Sequence, residues 1–128
     1  MSKTVIRTEA APAPFQGAPY SQAIRSGDLV FVSGQLGLKP GETHLPEGIV
    51  AQTTQVLANL TAILTAAGTS PAHIVKTTVF LADLDDFAAM NELYADFAGD
   101  QPPARSTVQV AKLPSDALIE IEAIARIP

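Results

Sequence analysis

Cysteine and tryptophan are absent from this chain of 128 residues, and histidine occurs only twice, at His44 and His73. Without cysteine, disulfides, thiolate nucleophiles, zinc sites with cysteine ligands and iron–sulfur clusters are all excluded. Two histidines are too few for a three-histidine metal site, and their separation rules out a two-histidine motif on one helix. The sequence therefore predicts no metal site and excludes most cofactor chemistry.

Basic side chains are also scarce. Eight Lys and Arg stand against thirteen Asp and Glu, which gives a net charge of −5. This is the wrong sign for gripping a phosphate backbone, so a nucleic-acid partner is disfavoured. Charged residues make up only 16% of the chain, below the roughly 25% typical of soluble domains. So few charges cover the surface of a monomer poorly, which indicates oligomerisation.

Long apolar runs are missing too, because none approaches the roughly 18 residues that a membrane span needs. The first residues lack the basic-then-apolar layout of a signal peptide. The length suits one domain over residues 1–128. We therefore expect a single soluble, cytoplasmic domain with no membrane partner.

Two segments carry the periodicity of helices. Along residues 49–67 apolar side chains recur at steps of three and four, and Gly68 follows as a stop signal. A second stripe predicts a helix over about 86–98, ended by Gly99. The second stripe, whose aromatic members we interpret as core, consists of Phe87, Met90, Tyr94 and Phe97.

Six segments rich in β-branched residues and bounded by Gly, Pro or Asp predict β-strands. Residues 37–48, which contain Pro and Gly, predict a loop before the first helix. Two crossover helices beside about six strands fit an α+β fold, in which a mixed sheet carries both helices on one face. The predicted strands cover residues 4–8, 21–25, 29–34, 74–81, 104–110 and 117–127.

Alternation along the last strands predicts which side chains share a face of the sheet. We expect Arg105, Glu120 and Glu122 on one face, with Lys76 as a further candidate. That face is either a solvated surface or the wall of a cleft covered by other subunits. The opposite, apolar face, which suits the helices, carries Ile119, Ile121, Ala123 and Ala125.

Seven stretches occur in an order and spacing that resemble one protein family. They are Gly-Ala-Pro-Tyr-Ser-Gln-Ala at 17–23, Phe-Val-Ser-Gly-Gln at 31–35, Ala-Ala-Gly at 66–68, Val-Lys-Thr-Thr-Val-Phe-Leu at 75–81, Asp-Phe-Ala-Ala-Met-Asn-Glu-Leu-Tyr at 86–94, Pro-Ala-Arg-Ser at 103–106 and Ile-Glu-Ile-Glu-Ala-Ile-Ala at 119–125. No single stretch is specific, but together they extend from about residue 11 to the end. On this basis the chain resembles the RidA (YjgF) family of reactive-intermediate imine/enamine deaminases.

The resemblance implies a chorismate-mutase-like fold and a homotrimer with a cleft between neighbouring subunits. It also implies hydrolysis of 2-aminoacrylate and related 2-imino acids to 2-oxo acids and ammonia, without a metal or an organic cofactor. The activity would be that of a 2-iminobutanoate/2-iminopropanoate deaminase, a hydrolase that acts on C=N bonds and limits metabolite damage.

The resemblance also assigns catalytic roles. It implies that Arg105 binds the substrate carboxylate, and a guanidinium suits this because its paired donors match a carboxylate. From the residues alone, the simpler interpretation of Arg105 is a surface or interface ion pair, for which Glu122 is a candidate partner. Glu120 is implied to position or activate the attacking water, although the residues by themselves do not distinguish it from Glu122. Tyr20 is the third catalytic candidate, since a phenol can donate to the developing amine or to water.

Four further residues match family positions that line the cleft and are expected to bind substrate. Ser33 offers a hydroxyl and Asn91 an amide. Gly34 and Thr107 are expected to contribute backbone N–H groups to the substrate carboxylate.

Two positions depart from the usual family pattern. Thr107 stands where many members carry Cys, and activity survives this change if the contact there comes from the backbone. Ala18 precedes Pro19 where Gly-Pro-Tyr is common, which bears on the placement of Tyr20.

Two other functions stay open. One is an endoribonuclease or translation inhibitor, a label that some relatives carry, and the net charge of −5 opposes it. The other is a regulatory trimer that binds a small 2-oxo acid without turnover. Only a measurement of turnover separates this second alternative from a deaminase.

Overall fold

Six strands pair into one mixed sheet, and two α-helices pack against the same side of it. The computed structural model describes residues 3–128. The strands are β1 (Thr4–Ile6), β2 (Ala23–Ser26), β3 (Leu29–Leu36), β4 (Ile74–Leu81), β5 (Ala104–Gln109) and β6 (Ile119–Arg126), and the helices are α1 (Ile49–Ala66) and α2 (Phe87–Ala98). Every predicted strand and helix is present. The ends differ from the predicted ones by at most two residues.

The strand order is β1-β2-β3-β6-β4-β5. The last strand of the chain, β6, lies between β3 and β4 and pairs with both in antiparallel fashion. Only β4 and β5 pair in parallel, and α2 forms the crossover between them. Both helices are therefore crossover connections, and the predicted α+β architecture with a mixed sheet and two helices on one face is confirmed.

The core lies between the helices and one face of the sheet. Alternate residues of β6, the predicted apolar set that begins at Ile119, are buried there. Leu60, Ile63 and Leu64 of α1 are fully buried against them, and each such side chain stabilises the fold by roughly 1.5–3 kcal/mol. Among the described residues, α1 is the one helix that is long and apolar enough to cross a membrane by length and composition. The expectation that no apolar run approaches this length was therefore wrong. In this fold α1 is a core helix that packs on β3 and β6.

Buried amide side chains fasten the connecting segments to this core. The Gln22 side chain accepts a hydrogen bond from the Thr8 N–H at 2.7 Å and donates to the carbonyls of Thr8, Ala11 and Pro12 at 3.0, 3.2 and 2.8 Å. The side chain of Asn59 in α1 likewise donates hydrogen bonds to two backbone carbonyls, at the end of β3 and in the loop that follows it. Gln22 thus holds the segment that precedes Tyr20, because buried backbone groups need partners in the absence of water.

Replacing Gln22 with Ala leaves the part-buried N–H of Thr8 and the carbonyls of Thr8, Ala11 and Pro12 without their side-chain partner. We expect Gln22→Ala to lower the free energy of unfolding by about 2 kcal/mol and to speed hydrogen exchange at the Thr8 amide. Urea unfolding at fixed protein concentration measures the first effect. The exposed Gln101→Ala is the matched control, and equal stability of the two variants would show that Gln22 does not anchor the segment.

Candidate active site

Arg105 lies on the helix-covered face of the sheet, against α2. Its Cζ atom is 4.8 Å from the ring centroid of Tyr94 and 5.5 Å from that of Phe87. Its Nη1 atom is 4.0 Å from the sulfur of Met90. The Tyr94 hydroxyl is in turn hydrogen-bonded to Thr77 at 2.6 Å. Aromatic faces attract cations at such distances, so the two rings hold the guanidinium in place.

The guanidinium of Arg105 has no carboxylate beside it in the part of the chain that the structure describes. Within residues 3–128 the only ion pair joins Lys112 and Asp116 at 3.4 Å. The interpretation of Arg105 as forming an ion pair with Glu122 of the same chain is therefore wrong. A partly buried guanidinium that has no carboxylate beside it is a ready site for a carboxylate from outside the chain.

Two further predicted residues belong to this side of the molecule. Thr107 follows Arg105 by two positions in β5, and its hydroxyl is buried without a hydrogen-bond partner among the described residues. Asn91 lies on α2 one turn after Phe87 and about one turn before Tyr94, which places it on the helix face that carries the rings. We refer to Arg105, Thr107 and Asn91 as the arginine group.

A separate cleft of about 450 Å³ opens on the other side of the sheet. The predicted residues that line it are Tyr20, Ser33, Gly34 and Glu120, together with Glu122. The N-terminal segment and β3 supply the first three of these residues, and β6 supplies the two carboxylates. We refer to Tyr20, Ser33, Gly34 and Glu120 as the glutamate group.

The backbone of β3 bulges at the centre of the glutamate group. Val32 pairs with Ala123 but Gln35 pairs with Ile121, so Ser33 and Gly34 together oppose the single residue Glu122. Such a bulge re-aims side chains locally. It lets Val32 and Gln35 both stay buried among the core while Ser33 turns toward the cleft.

The hydroxyl groups of the glutamate group already have defined partners. Ser33 Oγ donates to the Ser21 carbonyl at 2.6 Å, so its lone pairs remain free to accept a hydrogen bond. The Tyr20 hydroxyl accepts the Phe15 N–H at 2.5 Å, which leaves its own proton free to be donated. Tyr20 is therefore oriented as a donor and Ser33 as an acceptor.

Burial raises the pKa of the Glu120 carboxyl above its ordinary value, and the negative charge of Glu122 raises it further. Removal from water disfavours the charged form of a carboxylate, and a nearby like charge does the same. A carboxyl in a cleft whose pKa is shifted by burial and by a nearby charge is a candidate functional group. The raised pKa supports Glu120 as a reactive carboxylate of this cleft.

The structure corrects one prediction about the faces of the sheet. Arg105 was expected on the same face as Glu120, but it pairs with Thr77, which pairs with Ala123 on the helix-covered face. Glu120 pairs with Phe80 and points to the open side. The alternation within each strand was predicted correctly, but the register of the parallel β4–β5 pair fixes which residues of two strands match. In one chain the arginine and glutamate groups therefore lie on opposite faces.

Phe87 is a second correction. It was interpreted as core, yet it is 41% exposed and lies beside Arg105. The contact of Phe87 and Tyr94 with Arg105 is a feature that the sequence reasoning missed. Their spacing of seven residues on one helix face, next to the predicted carboxylate ligand, was the available signal.

Each histidine contacts a hydroxyl side chain close to it in sequence. His73 contacts Ser70 at 2.9 Å and His44 contacts Thr43 at 3.1 Å. Across residues 3–128, no group of three or more His, Asp or Glu side chains is arranged to hold a metal ion.

The architecture defines the class to which the chain belongs, the α+β proteins with a mixed six-stranded sheet and two crossover helices on one face. A family model described as Endoribonuclease L-PSP matches residues 8–127. The chain belongs to this family, the RidA (YjgF) family, and the predicted resemblance is confirmed.

Individual relatives share most of their length with this chain. Reactive Intermediate Deaminase A, chloroplastic, from Arabidopsis thaliana is 52% identical over 98% of this chain and 66% of its own length. The 2-iminobutanoate/2-iminopropanoate deaminase of Mus musculus is 46% identical, covering 96% of this chain and 90% of the mouse protein. The crystal structure of RidA from an Antarctic Psychrobacter species is 45% identical, with a TM-score of 0.92 over 97% of this chain and 99% of that one.

The titration of Glu120 tests the electrostatics of the cleft. We expect the carboxyl of Glu120 to hold its proton to a higher pH than an ordinary glutamate. Glu122→Gln removes a neighbouring negative charge and should lower the pKa of Glu120, although burial keeps it above the ordinary value. Carboxyl-carbon NMR across a pH series measures both. A Glu120 carboxyl that titrates as an exposed glutamate would contradict the described cleft.

Proposed function

We propose that this protein is a cofactor-free hydrolase that converts reactive 2-imino acids, including the imine form of 2-aminoacrylate, to 2-oxo acids and ammonia. The observation that carries the proposal is the guanidinium of Arg105, which is held by two aromatic rings and has no carboxylate partner within the described residues. The names of the Arabidopsis and mouse relatives support the same reaction class.

The substrate has two groups for the site to recognise, a carboxylate and an electrophilic C=N carbon. Arg105 takes the carboxylate through paired N–H donors, and the backbone beside Thr107 and Gly34 supplies further donors. Asn91 and Ser33 fix the rest of the small molecule. Holding the two reacting partners together accounts for much of the rate, because the imine is already reactive.

Glu120 manages the proton of the attacking water. Its carboxylate accepts a proton from water as the water oxygen bonds to the carbon of the protonated imine, and the electron pair of the C=N π bond moves to nitrogen to give a neutral carbinolamine. Glu120 then returns this proton to the amine nitrogen, and the C–N bond breaks to release ammonia while the Tyr20 hydroxyl donates a hydrogen bond. The hydroxyl proton of the carbinolamine passes to the ionised Glu120 carboxylate as the C=O bond of the 2-oxo acid forms. Because only ionised Glu120 can accept the proton, kcat falls as the pH drops through the raised pKa of this group.

One chain cannot bring Arg105 and Glu120 to the same substrate, because they lie on opposite faces of its sheet. We therefore propose a homotrimer in which the arginine group of one subunit meets the glutamate group of its neighbour. The open sheet face supports association. Phe31 and Val108 are each 42% exposed there, and a neighbouring subunit on this face would remove such apolar area from water.

The endoribonuclease in the family description is the competing activity. The net charge of −5 opposes binding to a polyanion. Arg105, moreover, is set among aromatic and sulfur atoms as a single cation rather than in a basic stripe. A small carboxylate fits this arrangement better than an RNA backbone does.

We also propose that residues 1–128 act as one domain and that the protein works in the cytoplasm. The domain proposal is supported by the single sheet to which every strand belongs. The cytoplasmic proposal rests on the sequence alone.

Loss of the carboxylate ligand should impair hydrolysis. Arg105→Ala should lower kcat/KM at least roughly 30-fold, because removing one member of a desolvated charge pair costs about 2–5 kcal/mol. Arg105→Lys, which keeps the charge but not the paired donors, should lose less. The assay follows 2-oxo acid and ammonia release from imino acid generated in place by an amino-acid oxidase.

Two controls complete this experiment. One measures the rate of imino acid hydrolysis in buffer without protein, and the other tests RNA as a substrate. Hydrolysis by wild type no faster than buffer, for several imino acids, would refute the deaminase proposal. Binding of a 2-oxo acid without turnover would favour the regulatory trimer. Cleavage of RNA by nuclease-free protein, abolished in Glu120→Gln, would favour the endoribonuclease.

Mixed oligomers test whether each site needs two chains. Arg105→Ala and Glu120→Gln subunits, inactive separately, should regain about a quarter of wild-type activity when co-expressed at equal levels. Half of the sites then receive an intact Arg105, and half of those an intact Glu120 from the neighbour. Sites built within one chain would recover no activity in the mixture.

A further inference from the structure

Gly34 occupies the bulge of β3 directly beneath the Glu120 carboxyl. A Cβ atom built on Gly34 would overlap Glu120 Oε2 and lie 2.8 Å from its Cδ and 3.0 Å from its Cγ. These atoms are the far end of the glutamate side chain, not backbone. The carboxylate therefore fills the space that any other residue at position 34 would use for its own side chain.

The backbone at Gly34 makes no other demand for glycine. Its φ lies outside the left-handed region that Gly17, Gly27, Gly41 and others in this chain adopt. Alanine is therefore compatible with the conformation of the strand. The three heavy atoms nearest to a methyl group at this position all belong to the Glu120 side chain.

Gly37, three residues on, shows the contrasting case. A Cβ there would lie 2.6 Å from the backbone oxygen of Gln52 and 2.7 Å from its Cα. Backbone of α1 cannot move aside as the end of a side chain can. Gly37 thus serves the packing of the loop on the helix, whereas Gly34 serves the placement of one carboxylate.

We propose that Gly34 is a positioning residue, whose missing side chain forms a notch that seats the Glu120 carboxylate in the orientation needed to take a proton from the attacking water. This role rests on the proposed function and is distinct from any backbone N–H that Gly34 donates to substrate. The notch holds Oε2 against the strand and limits its contact with water. The raised pKa of Glu120, caused first by burial, agrees with this seat.

Gly34→Ala tests the notch by moving the carboxylate while sparing the fold. We expect kcat to fall between about 10- and 100-fold, since small misplacements of a reacting group have effects of that size, with KM changed less than about two-fold. The acidic midpoint of the kcat profile should move to lower pH, because the displaced carboxylate is better solvated. Urea unfolding should match wild type, whereas Gly37→Ala should be destabilised with an unmoved midpoint.

A double-mutant cycle with Glu120→Gln shows whether Gly34 acts through Glu120. In the Glu120→Gln background, Gly34→Ala should cause no further loss of activity. An undiminished kcat and an unmoved pH midpoint in Gly34→Ala, or a full additional loss in the Glu120→Gln background, would overturn the inference while leaving the proposed hydrolysis intact.

A substrate-free measurement keeps the two proposals separate. Carboxyl-carbon NMR should report a lower pKa for Glu120 in Gly34→Ala than in wild type. If wild type proved inactive on imino acids, the proposed function would fail. This titration would still decide whether the notch at Gly34 positions the Glu120 carboxylate. An identical titration in both proteins would refute it.

Discussion

The alternation of side chains across β5, β4 and β6 is the constraint on which the site depends. Neighbouring strands in register send matched residues to the same face, and the chain Arg105–Thr77–Ala123 runs across the helix-covered side. Glu120 is one of the alternate residues of β6 whose side chains point to the opposite, open face of the sheet. A single protomer thus carries the arginine group on one face and the glutamate group on the other, and catalysis by the proposed route requires a second copy of the chain.

Each half is organised by packing rather than by opposite charge. Arg105 rests on the rings of Phe87 and Tyr94, so its donors are not consumed by an internal carboxylate. Glu120 sits beside Gly34 and next to a like charge, which keeps its proton affinity high. An ion pair between Arg105 and Glu120 in one chain would compensate the charge of each group. In the proposed mechanism, their separation leaves a cation for the substrate carboxylate and a carboxylate that exchanges a proton with water.

Much of this fold follows from local patterns. The three- and four-residue steps of α1 and the alternation of β6 depend on neighbouring residues only, and both were predicted within two residues. The position of Arg105 on the helix-covered face was not predicted, because strand register arises from pairing between segments far apart in sequence. The exposure of Phe87 was missed for the same reason, since a helical stripe looks identical whether it packs on the core or on an arginine. The proposed positioning role of Gly34 depends on the bulge in β3, which no local sequence pattern predicts.

A crystal structure of the protein with a bound 2-oxo acid such as 2-oxobutanoate tests the two-chain site most directly. The account predicts the ligand carboxylate within about 3 Å of the Arg105 guanidinium of one subunit. Its keto carbon should face Glu120 of the partner subunit. A ligand that contacts Arg105 and Glu120 of the same chain, or that binds away from Arg105, would contradict the account.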